Sequence, residues 1–266
     1  MTRQEEKWLL EFAEKSGCDL DSLLKRRESG EPLQYILGEW EFYGYNLKVG
    51  AGVLVPRPET EFLVDLAKEH ETDLVLDLCA GTGCVGIALA RETNCNVICV
   101  EISEEAIFFL KQNIELNGVS DKVKIIKGDI LNPEFVDNFF NNQLPTVNNQ
   151  LSIVNCQLSI VVNPPYLTKI EMDELQKELT FEPRIALFGG CDGLDFYRKV
   201  FTLWGGKLKA DELFATEVGY KQAAQVYELM ENAGFEPRIK KDYSGIERII
   251  YGFKNKENHN AQKRSN

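Results

Sequence analysis

From residue 74 to residue 253 the sequence alternates short apolar runs, rich in β-branched residues, with longer segments of helical spacing. Strands are predicted at 74–78, 97–101, 123–127, 158–162, 213–218, 237–241 and 248–253, and helices at 59–70, 85–91, 103–117, 171–179, 194–208 and 221–233. Strands that alternate with helices pair in parallel through right-handed crossovers. The sequence therefore predicts an α/β fold with a doubly wound, seven-stranded, mostly parallel sheet of Rossmann-like architecture.

The chain is predicted to divide into a main α/β domain and shorter flanking regions. Residues 1–34 have the apolar spacing of two short helices, with Asp19 or Asp21 as the cap between them, and the aromatic-rich residues 35–55 suggest a β-hairpin. The main domain spans 56–253, and the polar tail 254–266 is predicted to be disordered. Residues 138–156 are interpreted as an insertion, because 150–155 nearly duplicate 157–163.

Composition narrows the classes of function. The formal net charge is −12, which disfavours a protein that gains its affinity by neutralising a phosphate backbone, so no stable nucleic-acid partner is expected. The chain has no run of about 18 apolar residues and no basic-then-apolar start, which predicts a cytoplasmic protein without a membrane partner. Seven cysteines without a C-x-x-C pair, together with only two histidines, leave little material for a metal site or a His-based triad.

A glycine-rich turn closes the first strand and opens the next helix. Its residues run from Asp77 to Gly83, and Gly81 and Gly83 let the backbone pass close to a ligand at the sheet edge. Glu101 ends the second strand, where a carboxylate is placed to accept from two ribose hydroxyls. Gly86 completes G-x-G-x-x-G, so these features alone leave a dinucleotide and S-adenosylmethionine both open.

A proline-rich loop after the fourth strand favours methyl transfer. The Asn163 side-chain oxygen and the Pro164 carbonyl can each accept one hydrogen from a planar NH2 group, while Tyr166 stacks on its plane. Pro165 adds rigidity, and the loop faces the same cleft as Gly81. The predicted substrate-binding residues are Asn163, Pro164, Pro165 and Tyr166, and the predicted catalytic residues are Asn163, Pro164 and Tyr166.

With these residues in place, the sequence resembles the HemK/PrmC family of protein-glutamine N5-methyltransferases. The shared segments are RESGEPLQYILG (27–38), WEFYG (40–44), LVPRPETE (54–61), NPPY (163–166), FEP (181–183), EVG (217–219) and GIER (245–248). The resemblance covers about residues 27–253. It implies a class I S-adenosylmethionine-dependent methyltransferase domain over 56–253 and, as substrate, the glutamine of the Gly-Gly-Gln loop in class I peptide release factors.

Carried over position by position, the resemblance implies a donor site around the glycine-rich turn. Residues 79–83 would line the methionine part of the donor, Glu101 would hold its ribose, and Asp129 and Ile130 would flank the adenine. The predicted cofactor-binding residues are Asp77, Cys79, Ala80, Gly81, Thr82, Gly83, Glu101, Asp129, Ile130 and Asn163. Residues 56–59 would form a wall of the cleft, although Arg57 and Glu59 could instead form an exposed ion pair.

Some positions depart from the family pattern, and further activities remain open. Cys79 stands where many relatives have glycine, and only about 30 residues precede the hairpin, where the family carries a larger helical domain. The nearest rival activity is that of an N6-adenine methyltransferase acting on DNA or RNA, because the same loop can hold the exocyclic amine of a flipped base. Methylation of a glutamine in a ribosomal protein and a non-catalytic binding role also fit the sequence.

Overall fold

The computed structural model describes residues 1–141 and 156–255. Three helices lead into a two-stranded antiparallel hairpin: α1 Arg3–Ser16, α2 Leu20–Glu28, α3 Leu33–Leu37, β1 Glu39–Phe42 and β2 Tyr45–Lys48. A capping box between Thr2 and Glu5 starts α1, and the Asp19 side chain caps α2, which was one of the two predicted caps. Leu9, Ala13, Leu23, Leu33 and Ile36 give these helices a small core of their own.

A seven-stranded sheet forms the centre of the molecule. In chain order its strands are β3 Leu74–Leu78, β4 Asn96–Glu101, β5 Val123–Lys127, β6 Leu158–Val162, β7 Leu213–Glu217, β8 Phe235–Lys241 and β9 Glu247–Lys254. Their spatial order is β5-β4-β3-β6-β7-β9-β8, in which β3 to β7 are parallel and β9 is antiparallel to both neighbours. The predicted doubly wound, mostly parallel sheet of Rossmann-like architecture is confirmed.

Helices cover both faces of the sheet. They are α4 Glu61–Lys68, α5 Cys84–Glu92, α6 Glu104–Leu116, α7 Pro133–Asn141, α9 Asp195–Leu203 and α10 Ala223–Asn232. The short helix α8 Lys169–Asp173 buries none of its residues. Successive strand residues point to opposite faces, so Leu76 and Ile160 join the core under α9 and α10, while Val75 and Val161 join the core under α4 and α5. Both faces are apolar at the centre of the sheet, which is why β3 and β6 are nearly continuous apolar runs in the sequence.

The strand order fixes where a ligand can bind. The crossover direction reverses at β3, which has β4 on one side and β6 on the other. Open α/β sheets bind their ligands outside the carboxyl ends of the strands at such a reversal. The turn after β3, the end of β4 and the loop after β6 therefore meet at one edge, as the sequence predicted.

Several predicted boundaries were wrong. Residues 35–37 belong to α3 rather than to the hairpin, and the predicted helix 171–179 is instead α8 followed by a 3-10 turn, Lys177–Phe181. Helix α7 extends into the first residues of the predicted insertion, at 138–141. The rest of that insertion up to residue 155, and the predicted disordered tail beyond residue 255, lie outside the described residues. Among the described helices none has the length and apolar character needed to span a bilayer.

Candidate active site

A cleft of about 290 Å³ opens at the carboxyl ends of β3, β4 and β6. Ten of the predicted site residues line it: Asp77, Cys79, Ala80, Gly81, Thr82, Glu101, Asp129, Ile130, Asn163 and Pro165. Gly83, Pro164 and Tyr166 are not part of its lining. The structure thus brings together the glycine-rich turn, the β4 carboxylate and the first part of the proline-rich loop, although these segments are far apart in the sequence.

The turn after β3 has an unusual backbone conformation. Cys79, Gly81 and Gly83 have φ values of 59°, 57° and 79°, in the left-handed region. Gly83 is the N-cap of α5, and a Cβ there would lie 2.2 Å from the Leu110 side chain. Glycine adopts this region freely, whereas Cys79 does so at a cost of about 1 kcal/mol. The turn leaves room beside the start of α5, where backbone N–H groups favour anionic ligand groups.

Asp77 holds the turn against α5. It is buried, and its Oδ2 accepts from the Gly86 N–H at 2.9 Å. Burial raises the pKa of the Asp77 carboxyl to about 7, against the lowering effect of the Gly86 N–H. A Cβ at Gly86 would lie 2.8 Å from Cys99 Sγ and 3.0 Å from Asp77 Oδ2, so this glycine allows close packing of α5 on the sheet. Asp77 therefore lines the cleft and also anchors the helix behind it.

Glu101 is engaged by the backbone on both of its oxygens. Oε2 accepts from the Gly81 N–H at 2.8 Å, and Oε1 accepts from the N–H groups of Ile102 and Ser103 at 2.8 and 2.9 Å. A carboxylate offers about four acceptor positions, two on each oxygen. These contacts leave one position open, on Oε2, so the structure accommodates a single further donor more readily than the predicted pair of ribose hydroxyls.

Asp129 and Ile130 lie in the loop after β5. The Asp129 Oδ1 accepts from the Leu131 N–H at 2.8 Å, and the Ile130 carbonyl accepts from Trp204 Nε1 at 2.9 Å. Trp204 is fully buried, so this bond fixes the loop to the core. The result is a rigid, partly apolar wall beside Glu101, of the kind that suits a flat aromatic ring.

The loop after β6 is tied to two residues that sequence reasoning missed. Asn163 Nδ2 donates to Thr60 Oγ1 at 3.1 Å, and the Thr60 hydroxyl donates to Glu217 Oε2 at 2.6 Å. Tyr166 also approaches Glu217, with 3.5 Å between its hydroxyl and Oε1. Thr60 and Glu217 are buried, and burial raises the pKa of Glu217 to about 7 and also raises that of the Tyr166 phenol.

The cleft wall at 53–60 is held by a third missed residue, Glu182. Its Oε2 accepts from the Val55 N–H at 3.0 Å, and its Oε1 accepts from Arg57. Glu59 instead approaches Arg248 at 3.6 Å. The interpretation of Arg57 and Glu59 as an exposed ion pair is therefore wrong, because each residue has a partner on another segment.

The three missed residues were visible in the sequence without a role. Glu182 and Glu217 lie in the FEP and EVG segments, and Thr60 lies in LVPRPETE. Glu217 ends an apolar strand in the same way as Glu101, so its position at the carboxyl edge of the sheet was the available signal. Its partners could not be inferred, because they are 157 and 51 residues away in the chain.

Comparisons with known proteins identify relatives over most of this chain. Residues 57–153, less than half of the chain, match the family model described as TRM5/TYW2 methyltransferase domain. A protein of Thermodesulfovibrio yellowstonii named release factor glutamine methyltransferase is 34% identical over 249 residues, covering 90% of this chain and 82% of the relative. A protein of the same name from Fusobacterium nucleatum is 36% identical, over 86% of this chain and 62% of the relative's length.

Solved structures support the fold. A methyltransferase from Pyrococcus furiosus superposes with a TM-score of 0.54 over 80% of this chain and 91% of its own, at 18% sequence identity. At that identity the likeness bears on the architecture alone. The relatives of higher identity bear on the family.

Proposed function

The chain belongs to the release factor glutamine methyltransferase family, and on that premise we propose that it methylates the glutamine side-chain amide nitrogen, N5, in the Gly-Gly-Gln motif of class I peptide release factors. Members of this family use S-adenosylmethionine as methyl donor. The enzyme is proposed to act in the cytoplasm, where its substrate works, without a stable nucleic-acid or membrane partner.

The observation that carries the proposal is the arrangement of Asn163. Its Nδ2 is taken by Thr60, so its Oδ1 is the atom left to accept a hydrogen from a substrate NH2 group. Asn163 lines the same cleft as Gly81 and Glu101. A planar amide nitrogen bound by Asn163 therefore lies next to the region proposed for the methyl donor.

The residues of the donor region fit S-adenosylmethionine. The left-handed turn at Cys79–Gly83 leaves backbone N–H groups at the start of α5, and Glu101 Oε2 keeps an acceptor position for a ribose hydroxyl. Asp129 and Ile130 line the cleft at the wall proposed to contact the adenine ring. When bound, S-adenosylmethionine supplies a methyl group on a sulfonium, which is already a good leaving group.

The contribution of the protein is mainly orientation. An amide nitrogen is a weak nucleophile because its lone pair is delocalised into the carbonyl group. Acceptance of its two hydrogens by Asn163 Oδ1 and the Pro164 carbonyl favours electron density on nitrogen and fixes the approach, and well-oriented reactions gain several kcal/mol. No base is needed before transfer, because the proton can leave afterwards. Pro164 and Tyr166 do not line the cleft, so the proposed roles require the Pro164 carbonyl and the Tyr166 ring, which lies beside Glu217, to reach the substrate amide.

Direct transfer to a release factor tests the proposal. The protein is incubated with a purified class I release factor and labelled S-adenosylmethionine, and the Gly-Gly-Gln peptide is then mapped by mass spectrometry. We expect one methyl group on the glutamine and none on DNA or RNA oligonucleotides. An isolated peptide should react more slowly than the folded factor, because it must bear the ordering cost itself. Transfer to adenine with none to the release factor would establish the N6-adenine activity instead.

Substitution of Asn163 tests the residue roles. We predict that Asn163→Ala lowers kcat about a hundredfold or more while donor affinity is retained, because a positioning group is lost. Asn232→Ala, at an exposed position on α10, is the matched control and should leave both quantities unchanged. An increase in KM with kcat preserved would make Asn163 a binding residue only.

A further inference from the structure

The register of the sheet brings Asn163 and Glu217 together. Strands β6 and β7 are parallel, and Val162 pairs with Thr216. Asn163 directly follows β6 and Glu217 is the last residue of β7, so the two residues lie at the same edge of the sheet. Thr60 comes from the 3-10 turn before α4 and contacts both side chains, with Oγ1 at 3.1 Å from Asn163 Nδ2 and 2.6 Å from Glu217 Oε2.

Asn163, Thr60 and Glu217 form a chain of hydrogen bonds, and the buried carboxylate of Glu217 sets the direction of each bond. An ionised Glu217 can only accept, so the single proton of the Thr60 hydroxyl points to Glu217. The Thr60 oxygen can then only accept from Asn163, which places Nδ2 against Thr60 and leaves Oδ1 for the substrate. The two ends of the Asn163 amide are similar in shape, so the hydrogen bonds decide which end faces Thr60.

We propose that Thr60 and Glu217 are positioning residues that orient the Asn163 amide for methyl transfer through this chain of hydrogen bonds, the Thr60 relay. The inference rests on the proposed function, in which Asn163 Oδ1 accepts from the substrate amide. Glu217 also accepts from the Tyr166 hydroxyl at 3.5 Å, so one buried carboxylate contacts Tyr166 directly and Asn163 through Thr60.

The relay reverses when Glu217 is protonated. The carboxyl then donates to Thr60, whose hydroxyl donates to Asn163 Oδ1, and the amide turns its NH2 group toward the substrate. The pKa of Glu217, raised by burial to about 7, puts this change near neutral pH. The other titratable or charged groups around Glu217 are Tyr166, Tyr197, Cys84, Glu59 and Arg248. Of these, Glu59 raises the pKa of Glu217 and Arg248 lowers it.

Kinetic tests compare variants in single turnovers at pH 8 with saturating donor and release factor. Thr60→Val keeps the side-chain size, removes the hydroxyl, and is expected to slow transfer about tenfold or more with donor affinity retained. Thr60→Ser should regain most of that loss. The control is Thr216→Val, which also removes a buried hydroxyl. This hydroxyl lies on β7 and donates to the backbone carbonyl of Glu217, and its loss should leave the rate unchanged.

A double substitution separates positioning from a general structural role. If Thr60 acts through Asn163, Thr60→Val adds no further loss in the Asn163→Ala background, and the difference stays within about twofold. Losses that multiply, or a Thr60→Val rate equal to that of Thr216→Val, would overturn the relay.

Side-chain amide NMR tests the relay without turnover. The Asn163 NH2 signals, assigned by their loss in Asn163→Ala, are expected to shift in Thr60→Val and to titrate near neutral pH in the wild type but not in Glu217→Gln. Signals that neither shift nor titrate would contradict the relay, whether or not Thr60→Val folds well enough for kinetics. Titrating signals without any transfer to a release factor would support the relay and count against the proposed function alone.

Discussion

The Glu101→Ala substitution removes a carboxylate that accepts from three backbone N–H groups, those of Gly81, Ile102 and Ser103. Ile102 is 43% exposed, so water can replace the carboxylate at the start of α6. The Gly81 N–H loses the partner that fixes the glycine-rich turn. Hydrogen bonds to charged groups contribute about 1.5–3 kcal/mol each, and with partial replacement by water we expect the free energy of unfolding to fall by about 1–3 kcal/mol.

The effect on donor affinity follows from the single open acceptor position on Oε2. One hydrogen bond from a ribose hydroxyl to the carboxylate is worth about 1.5–3 kcal/mol, which corresponds to a loss in S-adenosylmethionine affinity of roughly 10- to 150-fold. Two ribose hydroxyls bound together, as the sequence suggested, would give a larger loss. The size of the change therefore distinguishes one contact from two.

Two measurements separate these effects. Calorimetric titration with S-adenosylmethionine gives the affinity, and urea unfolding of the free protein gives the stability. Glu104→Ala is the matched control, because Glu104 is only three residues away, its side chain is 69% exposed, and it pairs with Lys127 on the surface. Unchanged affinity in a folded Glu101→Ala protein would remove Glu101 from the donor site. Lost affinity with unchanged stability would contradict the proposed anchoring of the turn.

Three further predictions concern stability. Cys79→Gly should be more stable than Cys79→Ala by about 1 kcal/mol in urea unfolding, because φ is 59° at this position, and equal stabilities would refute the strain. Gly86→Ala should lower the free energy of unfolding by about 1–3 kcal/mol because its Cβ would meet Cys99 and Val97, whereas Gly206→Ala, with nothing within 4 Å, should be nearly neutral. Asp77 and Glu217 have folded-state pKa values raised to about 7, so ionisation of either carboxyl destabilises the folded protein. The free energy of unfolding should therefore rise as the pH falls from about 8 to 5, by up to about 3 kcal/mol per group. Asp77→Asn should reduce that rise in urea unfolding at successive pH values, and a flat profile in the wild type would contradict it.

The buried strands were predictable because their pattern is set locally. Strands β3 and β6 match their predicted bounds, since each is a short apolar run that is buried on both faces of the sheet. Strand β5 also matches its predicted bounds, although it lies at the edge of the sheet and is only partly buried. The predicted helix at 171–179 failed for the opposite reason. A capping box between Thr168 and Glu171 starts α8, but the helix buries none of its residues and Ile170 is 70% exposed, so no core contact extends it.

Helix α7 was not predicted, although the sequence contains the residues that start it. Asn132 accepts from the Glu134 N–H at 2.9 Å, and Pro133 follows it at the first helical position. Phe139 packs in the hydrophobic core beside the sheet, and this tertiary contact cannot be inferred from the local sequence. The Asn-rich composition after residue 138 concealed the end of this helix within the predicted insertion.

The candidate site was predictable where one strand end defines a residue's position, as for Glu101 and Asn163. Their partners differ in a way that only the structure reveals. Glu101 accepts from backbone N–H groups, whose direction cannot reverse, so the donor end of the cleft keeps one hydrogen-bond arrangement whether or not nearby groups titrate. Glu217 accepts from the hydroxyls of Thr60 and Tyr166, which can rotate and can accept as well as donate. Two carboxylates at equivalent strand ends thus provide a fixed hydrogen-bond arrangement at the end of the cleft proposed for the methyl donor, and a proton-sensitive arrangement at the end proposed for the acceptor amide.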